Sequence, residues 1–308
     1  MVTASKLAVL AISAMAVFPL RAAESHIIVD AQTGHVLASK GRDEKLPVAS
    51  LTKIATAVVT LDWAQLREAN LAALATISPR ALDAGGMNPC GLQAGDQVSL
   101  RDLLYCALLA SDNVAATALA EHVGASLPNQ SGLDPVGNFV AHMNALARSL
   151  GMTRTRFLNP SGFDSNQEGA TPYSTAEDMA RLTRYAHDVS GFPFYVAQSD
   201  RQVHIFRAGI DLPLNLRNTN ELLNTDGIDG VKTGRTRRAG DCLILSADRP
   251  PESRREGEKV FITPRRIIVV LLRSPDRFGE GSALIRQGWS LYDNWAAKGR
   301  KTSKGDSI

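Results

Sequence analysis

Strand-like sequence lies at the two ends of this chain, and a helical block lies between them. That order constrains the fold most, because the simplest solution is one sheet built from both ends, with the helical block as a second lobe. His26 to Val29 and Val36 to Ser39 read as short strands around the turn Asp30 to Gly34, a hairpin. Strand texture returns at Gly230 to Thr236, Asp241 to Ala247 and Arg266 to Leu272. A polar insertion rich in Pro, Arg and Glu, residues 248 to 265, separates the last two. A helix from about Gly281 to Ala297 closes the pattern.

Within the block, Ser50 opens an apolar helix that runs to about Glu68, and residues 71 to 98 read as loop with one short strand. Ser99 with Asp102 makes a capping-box start for a helix through Leu109, and a second helix follows from Asn113 to about Val123. Residues 124 to 137 carry the Pro, Gly, Asn and Ser of a surface loop. Residues 138 to 149 and 175 to 188 are helical, the latter capped by Ser174 with Glu177. With 308 residues, 44% hydrophobic and 21% charged, the chain has the composition of a soluble globular protein and enough length for a large core.

Lys6, the apolar stretch Leu7 to Leu20 and Arg21-Ala22-Ala23 have the layout of a secretory signal, so residues 1–23 are read as an export segment. Leu20 or Arg21 sits where cleavage wants a small residue, so the segment is either removed or kept as an N-terminal anchor. This places the chain in the periplasm or outside the cell. Net charge is +3, and losing Lys6 and Arg21 leaves +1, which gives no case for nucleic acid or for a membrane contact beyond that segment. The three cysteines, Cys90, Cys106 and Cys242, are an odd number, so at least one stays outside any intramolecular disulfide. No Cys-x-x-Cys or His-x-x-x-His pair occurs, so neither metal nor cofactor is expected.

Three short motifs occur in order: Ser50-Leu51-Thr52-Lys53, Ser111-Asp112-Asn113 and Lys232-Thr233-Gly234. A Ser-x-x-Lys alone is worth nothing, because roughly one arises by chance in a chain of this length. Each tripeptide is expected only about 0.05 to 0.1 times, so the ordered set is informative. Together they mark penicillin-binding proteins and class A β-lactamases. The flanks extend the likeness: Leu46-Pro47-Val48-Ala49, Asn159-Pro160-Ser161-Gly162, Tyr173-Ser174-Thr175-Ala176, Asn218-Thr219-Asn220, Asp229-Gly230 and Ala239-Gly240. Over about residues 26 to 292 the chain resembles the low-molecular-mass D-Ala-D-Ala carboxypeptidases.

That resemblance implies an α/β, β-lactamase-like fold: an antiparallel sheet flanked by helices plus an all-helical lobe. A single catalytic domain would span 24–297, with a sheet lobe at about 26–70 and 225–297, a helical lobe at about 71–200, and a basic tail at 298–308. It implies Ser50 as nucleophile, Lys53 as its base and Ser111 as the relay to the leaving amine. Asn113 would hold Lys53 and the substrate amide, while Lys232 and Thr233 would take the substrate's terminal carboxylate. The backbone N–H groups of Ser50 and Arg235, beside Gly234, would form the oxyanion hole. Arg277 resembles the family's arginine ahead of its last helix, which contributes to carboxylate recognition.

The implied substrate is a peptidoglycan stem pentapeptide ending in D-Ala-D-Ala, with β-lactams as covalent inhibitors. Each residue also has a plainer reading: Ser50 as a helix cap, Ser111 to Asn113 as an inter-helix loop, Lys232 and Arg277 as surface cations. Arg235 departs from relatives that carry His or Phe there, and Arg237 and Arg238 make that strand exit unusually cationic. Leu158-Asn159 is present, but Thr155 stands where a class A β-lactamase has its deacylating glutamate. A D,D-endopeptidase, a β-lactamase and a non-catalytic peptidoglycan receptor are the competing functions, in falling order.

Overall fold

The computed structural model describes residues 22–129, 132–164, 172–303 and 305–308; the bulk of the expected export segment, residues 1–21, lies outside them. In chain order the elements are β1 (Ser25–Asp30), β2 (Val36–Lys40), a 3-10 turn (Ala49–Thr52), α1 (Lys53–Leu66), β3 (Leu74–Thr76), α2 (Pro79–Asp83) and β4 (Gln97–Ser99). Then come α3 (Leu100–Leu108), α4 (Asn113–Gly124), α5 (Pro135–Ser149), α6 (Ala176–Asp188) and α7 (Phe192–Val196). The chain continues through β5 (Asp200–Arg207), β6 (Ile210–Arg217), β7 (Ile228–Thr236), β8 (Gly240–Glu256), β9 (Lys259–Ser274) and α8 (Arg277–Ala297).

The two ends do meet in one antiparallel sheet, ordered β2-β1-β9-β8-β7. β1 pairs along its length with β9, from Ser25 opposite Leu272 to Asp30 opposite Ile267. Burial on both faces explains the uninterrupted apolar run Ile267 to Leu272. Alternation sends Ile267, Val269 and Leu271 to one face, where Ile285, Trp289, Tyr292 and Trp295 of α8 cover them. Ile268, Val270 and Leu272 face the helical block on the other side. Each such side chain contributes on the order of 1.5–3 kcal/mol through burial. α1 is buried nearly all round, which is why it lies at the centre of the block against α3, α4, α5 and α6.

Several expected elements are corrected. Residues 248 to 265 are no insertion: β8 and β9 stay paired from Asp248 opposite Arg266 out to Glu256 opposite Lys259. The ribbon leaves the core, so nothing imposes apolar alternation, and Pro250-Pro251 sits at a register shift that spares the ladder. Residues 71 to 98 hold β3, α2 and β4, and β4 joins β3 to the hairpin β5–β6 in a second sheet, β3-β4-β5-β6. That hairpin has no counterpart among the expected elements. Only Val203, Ile205 and Leu216 of it are buried, too few for a periodic signal.

α5 starts at Pro135, inside the expected loop, because Asp134 caps it through Val136 N and Gly137 N. α6 is capped by Thr175, which accepts from Asp178 N, rather than by Ser174, whose hydroxyl bonds Thr155 instead. Ser99 does cap α3 through Asp102 N, but the Asp102 carboxylate accepts from His204 N, so the capping box is half built. α8 begins at Arg277, a turn earlier than expected, under an Asp276 cap. The end of the tail is not merely solvated: Val36 N bonds Asp306 O and Ile308 N bonds Gly34 O across the β1–β2 turn. No described helix is long and apolar enough to cross a membrane.

Candidate active site

Ser50 does not begin the α-helix. It lies in the 3-10 turn ahead of α1, and Ala49 before it is held at φ 49°, a conformation costly for a residue with a Cβ. The turn still brings Ser50 and Lys53 together, with Lys53 Nζ donating to Ser50 Oγ at 2.9 Å. The amine also donates to Asn113 Oδ1 at 2.6 Å and to the carbonyl of Ser161 at 2.9 Å. Three acceptors, one of them the Ser50 hydroxyl, leave the ammonium no further donor. Lys53 is fully buried, and loss of solvation pulls its pKa from 10.5 to about 7, with the Asp112 charge acting in the opposite sense.

The second motif forms the turn between α3 and α4. Asp112 caps α4 through Ala115 N, and its other oxygen accepts from Cys90 N at 3.0 Å. Burial raises the Asp112 pKa, and those hydrogen bonds together with Lys53 work against the rise. Asn113 is fixed by its neighbours, with its N–H on Met87 O and its side-chain amide on Gly85 O. A Cβ on Gly86, at φ 86°, would sit 1.7 Å from Asn113 Nδ2. Ser111 is buried at φ 62°, and its hydroxyl makes no hydrogen bond to a described residue, so the expected relay is not prewired.

The third motif lies on β7, the edge strand of its sheet. A Cβ on Gly234 would come within 3.1 Å of Ser50 N, so the strand's backbone runs against the amide of Ser50. Lys232 is buried and donates to Thr233 O at 3.0 Å. Burial lowers its pKa well below the usual lysine range, helped by the charges of Lys53 and Arg277. Thr233 Oγ1 bonds Thr219 Oγ1 at 2.7 Å, which gives the Asn218-Thr219-Asn220 flank a role. Arg277 reaches Gly234 O and Asp241, both at 3.3 Å, so its guanidinium lies beside the strand. Arg235 is brought only to the rim, its side chain 76% exposed and 3.5 Å from Asp241.

The largest contribution absent from the sequence-derived site is the 159–163 turn. Asn159 Oδ1 accepts from Ser161 N and Gly162 N, and its Nδ2 bonds Phe163 O, which aims the Ser161 carbonyl at Lys53. Gly162 has φ 74°, and a Cβ there would sit 1.9 Å from Ala49 O. The signal was the Asn-Pro-Ser-Gly string, a turn sequence with no chemistry of its own. All three cysteines are free and buried.

A serine hydroxyl held by a lysine amine that is half neutral near pH 7 is the equipment for acyl transfer through a covalent ester. The family model described as D-alanyl-D-alanine carboxypeptidase matches residues 13–254. The D-alanyl-D-alanine endopeptidase of Pseudomonas aeruginosa is 35% identical over 73% of this chain and 66% of its own length. The D-alanyl-D-alanine carboxypeptidase DacC of Escherichia coli is 32% identical over 88% of this chain and 62% of its own. Among solved structures, a Streptomyces DD-transpeptidase superposes with TM-score 0.74 and 29% identity, covering 88% of this chain and 98% of that one. Penicillin-binding protein D2 from Listeria monocytogenes, in its ampicillin-bound form, gives 0.67 and 26% over 87% and 97%. The chain belongs to the D-alanyl-D-alanine carboxypeptidase family. It spans 54% to 66% of the length of the first curated relatives it matches.

Proposed function

We propose that this chain is an exported serine D-Ala-D-Ala carboxypeptidase acting on peptidoglycan stem peptides through an ester on Ser50. The carrying observation is Lys53, fully buried and 2.9 Å from the hydroxyl it would deprotonate. Neutral Lys53 takes the Ser50 proton as Oγ attacks the carbonyl of the penultimate D-Ala. The N–H groups of Ser50 and Arg235 receive the oxyanion. Collapse of the intermediate breaks the peptide bond; Ser111 gives its proton to the departing amine as it takes up the proton held on Lys53, so D-Ala leaves and Lys53 is neutral again. Asn113 keeps Lys53 and the substrate amide in place. Lys232, Thr233 and Arg277 gather the terminal carboxylate, and water then hydrolyses the ester. A β-lactam would follow the first half of this path and stop at the ester.

A second reading, D,D-endopeptidase on cross-linked peptide, draws support from the 35% identical Pseudomonas relative named for that activity. Both readings share the acyl-enzyme. The test incubates the purified protein with fluorescent penicillin, a peptide ending in D-Ala-D-Ala and a cross-linked dimer, beside Ser50→Ala. Covalent label and D-Ala release on the parent alone are expected. Absence of label on the parent sinks both readings, and label with dimer cleavage but no D-Ala release selects the endopeptidase.

A further inference from the structure

Ser50 lines a cavity of about 240 Å³ that Arg235, Arg237 and Arg238 also line. Lys232, Thr233 and Arg277, the groups assigned to the terminal carboxylate, do not line it. β7 has a free edge beside Ser50, so an extended peptide can add to it as a further strand. With its C-terminus at Lys232 and Thr233, such a peptide runs antiparallel to β7 and toward Arg237. Two strand steps span about 7 Å, which sets the residue just before the D-Ala-D-Ala pair abreast of Arg235, with Arg237 in the turn just beyond the end of β7 and within reach of a long side chain.

Among the described residues, the carboxylate lining the same cavity is engaged: Asp164 accepts from Thr236 Oγ1 at 2.9 Å and from Arg238 N at 3.1 Å. Arg235 meets Asp241 only at 3.5 Å. Arg237 is exposed, and among the described residues no carboxylate pairs with it. Two guanidinium forks are thus presented beside the nucleophile, a geometry matched to a carboxylate.

We propose that Arg235 and Arg237 form an anion subsite for the acyl half of the substrate. The enzyme then selects donors whose residue before D-Ala-D-Ala carries a free side-chain carboxylate. The proposal rests on the reading of Ser50 as the nucleophile toward such peptides.

The experiment compares two synthetic donors that differ only in whether that residue bears a carboxylate or its carboxamide. For the parent enzyme, kcat/KM should favour the carboxylate roughly five- to tenfold, the scale of one charge-assisted hydrogen bond at a half-open site. Added salt should erode that ratio. Arg237→Gln should bring it toward one, while covalent penicillin labelling reports that the variant is folded. A parent ratio near one, a ratio indifferent to salt, or a ratio unchanged in a labelled variant overturns the subsite and leaves the Ser50 reading intact. Failure of the parent to cleave either donor or to take label overturns the Ser50 reading itself.

Discussion

On the proposed mechanism, acylation of Ser50 should fall steeply as pH drops below 7, because the base would be a lysine that burial alone has made neutral. An ordinary lysine at pH 7 has roughly one amine in three thousand unprotonated. With its pKa brought to about 7, half of Lys53 is neutral at that pH. Burial therefore raises the population of competent base about a thousandfold. Below pH 7 each unit removes a factor of ten, so at pH 5 about one enzyme in a hundred is competent and the rate is roughly fiftyfold under its value at pH 7. The assay is the second-order rate of fluorescent-penicillin labelling from pH 5 to 9, with Ser50→Ala as the blank. Asp112→Asn removes the charge that holds the Lys53 pKa up, so its acid limb should lie at lower pH than the parent's. A flat profile between pH 5 and 8, or an inflection above 9, would refute a buried neutral base.

The same shift has a signature in stability. Between pH 7 and 10.5 the unfolded chain holds a proton at Lys53 that the folded chain lacks, so this group's contribution to stability rises with pH through that window. The Tm of Lys53→Met relative to the parent should accordingly decline from pH 7 to pH 9.5, and a constant difference would contradict it. Gly162→Ala forces a Cβ against Ala49 O at φ 74°, and should cost about 1–3 kcal/mol in chemical denaturation while slowing labelling, because the Ser161 carbonyl moves with it. Thr155→Glu should not create a penicillinase. The new carboxylate would meet Asp178, which Thr155 now touches at 2.7 Å, so lower Tm with an undiminished lifetime of the penicilloyl ester is expected; fast turnover of penicillin would show that position 155 does address the ester.

How much of this was legible depended on whether the signal was local. β1, β2, α1, α3 and α4 follow from short-range pattern, and the fully buried run of β9 was readable because both of its faces need apolar side chains. That both ends share one sheet is legible in the order of textures along the chain, whereas the pairing of β1 with β9 within it is not. The outer ribbon of β8 and β9 carries the sequence texture of an insertion, since its ladder is satisfied by backbone alone and its side chains meet solvent. Thr175 displaced Ser174 as the cap of α6 because adjacent hydroxyls are equivalent in sequence, and only the Thr155 contact separates them.

The site divides along the same line, and the division says how it works. On the proposed mechanism the reacting and binding groups are side chains of distinctive type, so Ser50, Lys53, Asn113 and Lys232 stand out in sequence. What makes Lys53 a base is different in kind: burial, a backbone carbonyl at Ser161, and two glycine positions, 86 and 162, where no side chain fits. Removing Lys53 takes away a reactant, whereas filling either glycine leaves every reactant present and spoils their alignment. Substitutions of the first kind should abolish labelling with the fold intact, and those of the second kind should lower labelling and stability together. A Gly86→Ala variant that kept full stability yet lost labelling would argue that the 85–87 loop touches the substrate itself rather than holding Asn113.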